Sequence, residues 1–444
     1  MIRRIAVVVV CLLLSSCFTV LSKAYALNVN RSVFPNGLIV LHSENHSLPI
    51  VTVSVIVKAG QLDEPKEKAG LASMVAGLLT EGTKSRSAKD ISEEADFIGA
   101  SLNASAGGDY ITVTLSVLKK DLNKGFELLS DILLNPVFPQ EEINRKRERV
   151  KGFLRQREEE PAFLADRAFR IEVFGEHPYG RLLEGSPETI DKIKRDDIIK
   201  FYSDYLLPNN AILSVSGDLT PGELNGLIKQ YLDGWKRATP PLRTAASLYE
   251  MKVKKVIKIG KDLTQANILL GSLGISRDNP DYYAVSVMNY ILGGGGFSSR
   301  LTQSVRDQMG LAYDVHSFFA PYKEGGFFQV GLQTKNESAS TAIAEVLKQI
   351  ENIRKERVSD QELSDAKSYL TGSFPRRLDT NRKIADFFAS VEFYNLGLDY
   401  ASNYPDYINS VTKDDVLRVA RKYLPAENYV LVVVANQKKA LLKY

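Results

Sequence analysis

IDKIKRDDIIKFYSDYL (190–206) and INSVTKDDVLRVARKYL (408–424) are one stretch written twice, aligned without a gap, with Ile, Asp-Asp and Tyr-Leu at equivalent places. Apolar residues at Ile190, Ile193, Ile198 and Phe201, and at Val411, Val416 and Val419, fall at helical spacing, and Thr412 with Asp415 has the spacing of a capping box. Each copy then runs into a strand. Pro208 and Asn209-Asn210 lead to the apolar run Ala211–Val215, and Pro425 leads to Tyr429–Val434. A helix-to-strand unit repeated at this separation means a duplicated domain.

Working outward, the two halves stay parallel. In the first, the β-rich run Ile50–Val57 precedes a helix around Ala69–Leu79, two strands over Ser101–Val117, and helices from Leu118 to about Phe174. In the second, two strands over Lys252–Gly271 precede helices over Tyr282–Met309, strands over Ala312–Thr334, and helices from Ser338 to about Asn395. Strands followed by blocks of helices predict an α+β class: two homologous domains, each a mainly antiparallel sheet with helices packed on one face. The polar, Pro-containing stretch from Lys236 has linker character, which divides the chain into 27–235, a linker 236–249, and 250–444.

At 44% hydrophobic and 25% charged, 444 residues describe a globular chain and exclude disorder and repeated membrane spans. The net charge of +4 leaves no electrostatic footprint for nucleic acid. The N-terminus differs from the rest. A basic head (Met1-Ile2-Arg3-Arg4), an apolar run from Ile5 to Leu14 and the small-residue Ala24-Tyr25-Ala26 read as a signal peptide over 1–26, which predicts export, in a bacterium to the periplasm. Leu14-Ser15-Ser16-Cys17 also fits a lipobox, in which Cys17 is acylated and tethers the chain to a membrane; both readings stand. Cleavage after Ala26 removes Cys11 and Cys17, so the mature chain carries no thiol chemistry, and it removes Arg3, Arg4 and Lys23 and no acid, which lowers the charge by three.

An ordered set of short motifs carries a family resemblance: Phe34-Pro35-Asn36-Gly37-Leu38, Gly60-x-x-Asp63-Glu64-Pro65, Gly70-Leu71-Ala72, Gly82-Thr83, Asn135-Pro136-Val137-Phe138, His177-Pro178-Tyr179-Gly180, Gly217-Asp218, GGGGFSSRL and VRDQMGLAY. Together, over nearly the whole mature chain, they resemble the pitrilysin/insulinase family of zinc peptidases. The resemblance implies two related α+β domains per chain, paired with a second such unit around a peptide chamber.

The chemistry departs from that family. Its zinc-bearing members have an inverted H-x-x-E-H motif directly after Gly-Leu-Ala, two imidazoles binding metal and the Glu activating water. Here Ser73-Met74-Val75-Ala76-Gly77 stand there, so Ser73, Ala76 and Gly77 replace both ligands and the base, and Gly152 and Phe153 stand where the distant Glu ligand is expected. No metal is expected in this chain. The histidines offer no substitute set: His42 and His46 read as surface polar residues around a turn, His177 as a turn former, and His316 as a residue lining the chamber.

The second half matches the family's other contribution. Arg306 and Tyr313 correspond to the Arg and Tyr that members place across the chamber from the zinc, although by composition alone a surface arginine and a strand tyrosine look the same. A guanidinium offers a fork of donors to a carbonyl, and a phenol can donate to an oxyanion. Ser298 or Ser299 is expected to cap the helix carrying Leu301, Val305 and Arg306, with Gly310 ending it. Gly293, Gly294, Gly295 and Gly296 resemble a flexible substrate-binding loop beside the chamber, and read equally as a tight turn between helices; no Gly-Lys-Ser/Thr follows, so a phosphate loop is excluded. The charged run Arg145–Glu160 reads as a solvated helix face.

Loss of the zinc set beside retention of the Arg/Tyr pair implies a division of labour: a chain without zinc that pairs with an H-x-x-E-H subunit of the same family, whose zinc serves a shared site for peptide substrates. A catalytically inactive scaffold with the same fold is the alternative. An enzyme of another class finds no nucleophile–base pair or nucleotide fingerprint in the sequence.

Overall fold

The computed structural model describes residues 28–243, 247–248 and 253–442. The expected signal peptide, Cys17 included, and part of the expected linker lie outside the described residues. The first half runs β1 (Val29–Val33), β2 (Ile39–Glu44), β3 (Ile50–Val57), α1 (Leu71–Leu78), α2 (Ala88–Phe97), β4 (Ser101–Ala106), β5 (Ile111–Leu118), α3 (Leu122–Leu134), α4 (Gln140–Arg157), α5 (Pro161–Phe174), α6 (Pro187–Lys192), α7 (Arg195–Tyr205), β6 (Ala211–Gly217) and α8 (Pro221–Leu232). The second runs β7 (Lys255–Gly260), β8 (Gln265–Leu273), α9 (Tyr282–Asn289), β9 (Ala312–Pro321), β10 (Gly326–Lys335), α10 (Ala339–Lys355), α11 (Asp360–Ser373), α12 (Asn381–Phe393), α13 (Tyr400–Asn409), α14 (Lys413–Tyr423), β11 (Val430–Ala435) and α15 (Gln437–Ala440).

The repeated stretch behaves as its pattern demands. Thr412 Oγ1 accepts from Asp415 N at 3.1 Å while the Asp415 carboxylate accepts from Thr412 N at 3.0 Å, closing the box that starts α14. The strands that follow are equivalent too. β6 runs parallel to β2 and antiparallel to β3, and β11 runs parallel to β7 and antiparallel to β8. The sheet orders, β1-β2-β6-β3-β5-β4 and β7-β11-β8-β10-β9, are one path traced twice with β1 added. β3 and β11 are apolar almost throughout because both of their faces are covered, whereas β4, an edge strand, reads SLNASA and is half-buried at best.

Each half packs its own helices on one face of its sheet, in agreement with the expected α+β class. In the first, Leu71, Val75, Phe126 and Phe201 meet Val53 and Val113; in the second, Val285, Ile343 and Val416 meet Val330 and Val433. The opposite faces show what the sequence pattern did not: the halves exchange a helix. α5 of the first half lies on β8 and β11, setting Ala165, Phe169 and Val173 against Val430, Val432 and Val434. α12 of the second lies on β3 and β6, setting Ile384, Phe388 and Ala389 against Leu41, Ile56 and Ile212. Burying one such aromatic or branched side chain is worth roughly 1.5–3 kcal/mol, so each exchanged helix is a substantial tie.

A polar joint adds to it at the β9–β10 turn. The Asp109 carboxylate accepts hydrogen bonds from the Tyr179 hydroxyl, the Tyr394 hydroxyl at 2.9 Å and the Lys323 backbone N–H at 3.0 Å. Arg243 grips both oxygens of Asp63 at 2.9 and 2.8 Å and reaches Glu324 at 3.3 Å. The stretches at 60–65 and 177–180 therefore help hold the halves together, with His177 buried and its Nδ1 accepting from Tyr179 N at 3.2 Å. One surface expectation is corrected here. His46 is exposed between Asp218 and Glu44, but His42 is buried, its Nε2 3.0 Å from the Leu219 carbonyl, because β2 is an interior strand.

Candidate functional site

The two faces to compare are α1, where the zinc motif is missing, and the turn carrying Arg306. Gly70, with φ at +96°, starts α1 in a left-handed conformation, and a Cβ there would strike the Glu184 backbone. The buried Glu64 carboxylate accepts from the N–H groups of Gly70 at 3.0 Å and Ala72 at 2.7 Å, at the positive end of the helix. Burial pushes its pKa up to about 8 against the effect of those two donors.

On α1, Ser73 and Gly77 are four residues apart and share a face. Ser73 Oγ donates to the Leu183 carbonyl at 2.6 Å, and Ala76 is buried. Gly77 faces α4. A Cβ built on it would collide with Lys146 Nζ and stand 2.7 Å from Lys146 Cε. The ammonium has no hydrogen bond or ion pair with the described residues, and burial, then the neighbouring Arg149, lower its pKa. Zinc takes imidazole, thiolate or carboxylate. A bonded hydroxyl, a methyl group and an ammonium do not fit it, and among the described residues no three His, Cys, Asp or Glu side chains form a metal-binding group. The charged face of α4 is solvated in part, with Arg145 paired to Glu141 and Glu142, but Lys146 turns inward and Arg147 donates to the carbonyls of Ile190 at 3.4 Å and Ile193 at 2.9 Å.

In the second half the structure brings Arg306 and Tyr313 together. The guanidinium carbon lies 5.3 Å from the centre of the Tyr313 ring and 4.7 Å from that of Phe297. Neither Arg306 nor Tyr313 makes a side-chain hydrogen bond with the described residues, and the Arg306 ion pair, with Asp307, is long at 4.0 Å. Tyr313 is 87% exposed. The arrangement presents unspent donors to whatever lies outside, which suits recognition of a carbonyl or an oxyanion. Beside Tyr313 opens a cavity of about 320 Å³, walled by His316, Asn267 and Gln333 and by Ala162 and Ala165 of α5.

The backbone that carries Arg306 differs from the expected capped α-helix. Residues Thr302–Gln308 form a π-helical segment, closed by Leu311 N to Val305 O at 2.9 Å, and Gly310 ends it at φ +62° as expected. The wider turn lets Ser304 reach Glu345 and Thr302 Oγ1 reach the Val315 carbonyl at 3.3 Å, bonds that tie it to α10 and β9. Ser299 Oγ donates to Gly296 O at 2.7 Å and lies 3.0 Å from Thr302 Oγ1 instead of accepting from a backbone N–H of the helix. The glycines sit between helical turns: Gly293 and Gly294 belong to a π-helical turn, Gly293 packs on Ser317, and Gly295 and Gly296 lead into a 3-10 turn over Gly296–Ser298.

The two faces occupy different surroundings. α1 packs on β4, α4 and α7, and the Arg306 turn packs on β9 and α10. Sequence reasoning named neither Lys146 nor Phe297. A lysine in a run of charges looks solvated, and a phenylalanine after four glycines looks like part of the loop.

Comparison with known proteins agrees with this anatomy. Residues 39–185 match the family described as insulinase (peptidase family M16), and residues 192–370 match the peptidase M16 inactive domain. The chain is 27% identical over 416 residues to the non-peptidase homolog YmxG of Helicobacter pylori, covering 93% of this chain and 94% of that one. It is 29% identical over 347 residues to a protein of Rickettsia bellii named as an uncharacterized zinc protease, covering 77% and 82%. A solved peptidase M16 inactive domain from Pseudomonas fluorescens superposes with a TM-score of 0.86 at 27% identity, covering 92% of this chain and 98% of that one. With two family matches in order along the chain, the same two-sheet fold, and Ser73, Ala76 and Gly77 at the motif positions, this chain belongs to the M16 peptidase family as a member without the zinc-binding motif.

Proposed function

We propose that this chain is the non-zinc subunit of a heteromeric M16 metallopeptidase, inactive alone, which supplies Arg306 and Tyr313 to a peptide-hydrolysis site whose zinc and general base belong to an H-x-x-E-H subunit. The observation that carries the reading is the pair itself: two polar side chains held side by side, with donors that no group among the described residues uses, in a chain whose own α1 face does not fit a metal. Arg306 orients the substrate carbonyl through its planar fork, and the Tyr313 hydroxyl donates to the oxygen as negative charge develops on it. Extended peptides are the substrate class, met after export, in the periplasm or at a membrane through Cys17.

The test is to purify the tagged chain gently from its native host with whatever binds it, and to assay a quenched peptide with and without a zinc chelator. Chelator-sensitive cleavage that disappears in Arg306→Ala or Tyr313→Phe, with the partner still co-eluting, is the expected result. Cleavage indifferent to both substitutions overturns it in favour of a scaffold with a peptidase's shape, the reading favoured by the name of the Helicobacter pylori relative.

A further inference from the structure

Phe297 belongs to none of the buried apolar clusters among the described residues. The residue is 72% exposed, and its ring lies under the guanidinium of Arg306, 4.7 Å from ring centre to Cζ. Its backbone is nonetheless fixed. The 3-10 turn that carries it follows Gly296, at φ +57°, and is stapled by Ser298 Oγ to Gly295 O at 2.9 Å, Ser299 Oγ to Gly296 O at 2.7 Å, and Gln303 Nε2 to Ser298 O at 3.3 Å.

Several arginines of the chain are held by carboxylates, Arg243 by Asp63, Arg300 by Glu362, and Arg86 by Glu94, Glu127 and Asp131, whereas Arg157, Arg277 and Arg377, like Arg306, each lie over two aromatic rings. A carboxylate holds a guanidinium by its edge and uses up the donors there. An aromatic ring holds it by its face and leaves the N–H groups pointing outward in the plane.

We propose that Phe297 is a positioning residue, the second jaw of an aromatic clamp with Tyr313 that orients Arg306 while leaving its donors free for a peptide carbonyl. The proposal rests on the shared-site reading and deepens it: Phe297 sets the geometry through which Arg306 meets substrate, without touching the reacting atoms.

Two measurements test it. In the full mature chain alone, the Arg306 Nε–Hε resonance is shifted by the currents of the two rings; Phe297→Leu moves it toward the position of an ordinary arginine and Phe297→Tyr leaves it displaced. In the co-purified complex, Phe297→Leu lowers kcat about three- to thirtyfold with KM within about twofold, and Phe297→Tyr recovers most of that loss. The thermal midpoint stays at the wild-type value, as befits an exposed side chain. A resonance that Phe297→Leu does not move overturns the clamp. Wild-type kcat in Phe297→Leu, where Arg306→Ala abolishes cleavage, overturns the positioning role and spares the shared-site reading. Unchanged cleavage in Arg306→Ala overturns that reading and takes the positioning role with it, even where the resonance shows the rings in place.

Discussion

The α1 face of the first half and the Arg306 turn of the second belong to one duplicated fold, and one turns its cation into a hollow while the other displays it between exposed rings. On α1, the hydroxyl of Ser73 is bonded to Leu183, Ala76 is buried, and the hollow over Gly77 is filled by Lys146. At the Arg306 turn, a guanidinium, a phenol and a phenyl ring stand together at the surface with their donors unspent. A face whose hydroxyl is bonded to the backbone and whose hollow is filled by a cationic side chain leaves no place for a metal ion. A face that holds polar groups in register and leaves them unsatisfied is prepared for a ligand.

The contrast can be broken in several places. The largest expected effect is on the open face: Arg306→Ala or Tyr313→Phe lowers kcat of the co-purified peptidase by about 10²–10³-fold, the usual cost of one oxyanion donor, with the melting temperature unchanged. On the closed face, Ser73→His, Ala76→Glu and Gly77→His together bind zinc only weakly while Lys146 stands, because the side chain added at Gly77 must push the end of Lys146 aside and the displaced ammonium still repels the ion. Adding Lys146→Ala tightens zinc binding about tenfold or more, a change of roughly 1.4 kcal/mol, read by competition with a chromogenic chelator. Equal affinity in the triple and quadruple variants would show that the face is not closed by Lys146.

A smaller effect appears in the pH dependence of stability. Burial pushes the Glu64 carboxyl up to about 8 in the folded chain from an ordinary value of about 4.5, so the folded state holds the extra proton between those values. Its contribution is fully present below the unfolded pKa and is lost as pH rises through the folded one. Glu64→Gln, which cannot ionise, flattens the decline in denaturation midpoint across that window; an unaltered decline would mean that Glu64 is ionised in the fold. The smallest effect sharpens the comparison within one helix: Arg145→Ala, on the solvated side of α4 beside Lys146, changes stability by at most about 0.5 kcal/mol, because its pairs with Glu141 and Glu142 are exposed.

Much of this was readable in the residues. The duplicated helix and strand show because apolar spacing is a local property, and Thr412 with Asp415 marks a helix start within four residues. The missing zinc ligands show because the motif is contiguous. Other features depend on partners far away in sequence. The apolar stripes of α5 and α12 say that each needs a sheet and not which one, so the exchange of helices is invisible. Lys146 shares its run with seven other charged residues from Glu141 to Lys151, and only the absence of a side chain at Gly77 makes room for it to turn inward. The π-helical turn at Thr302–Gln308 depends on Glu345 and Val315, which lie on other elements.

The exchange of α5 and α12 also sets a timetable. As the chain emerges N-terminus first, from a ribosome or from an export channel, the strands of the first sheet are complete once β6 is out, yet α12 begins more than 160 residues later. Until then Leu41, Ile56 and Ile212 have no cover, while α5 waits with Phe169 and Val173 for strands not yet made. Neither half can finish before the other, so a nascent or truncated first half is a sticky intermediate and a natural client for a holding chaperone.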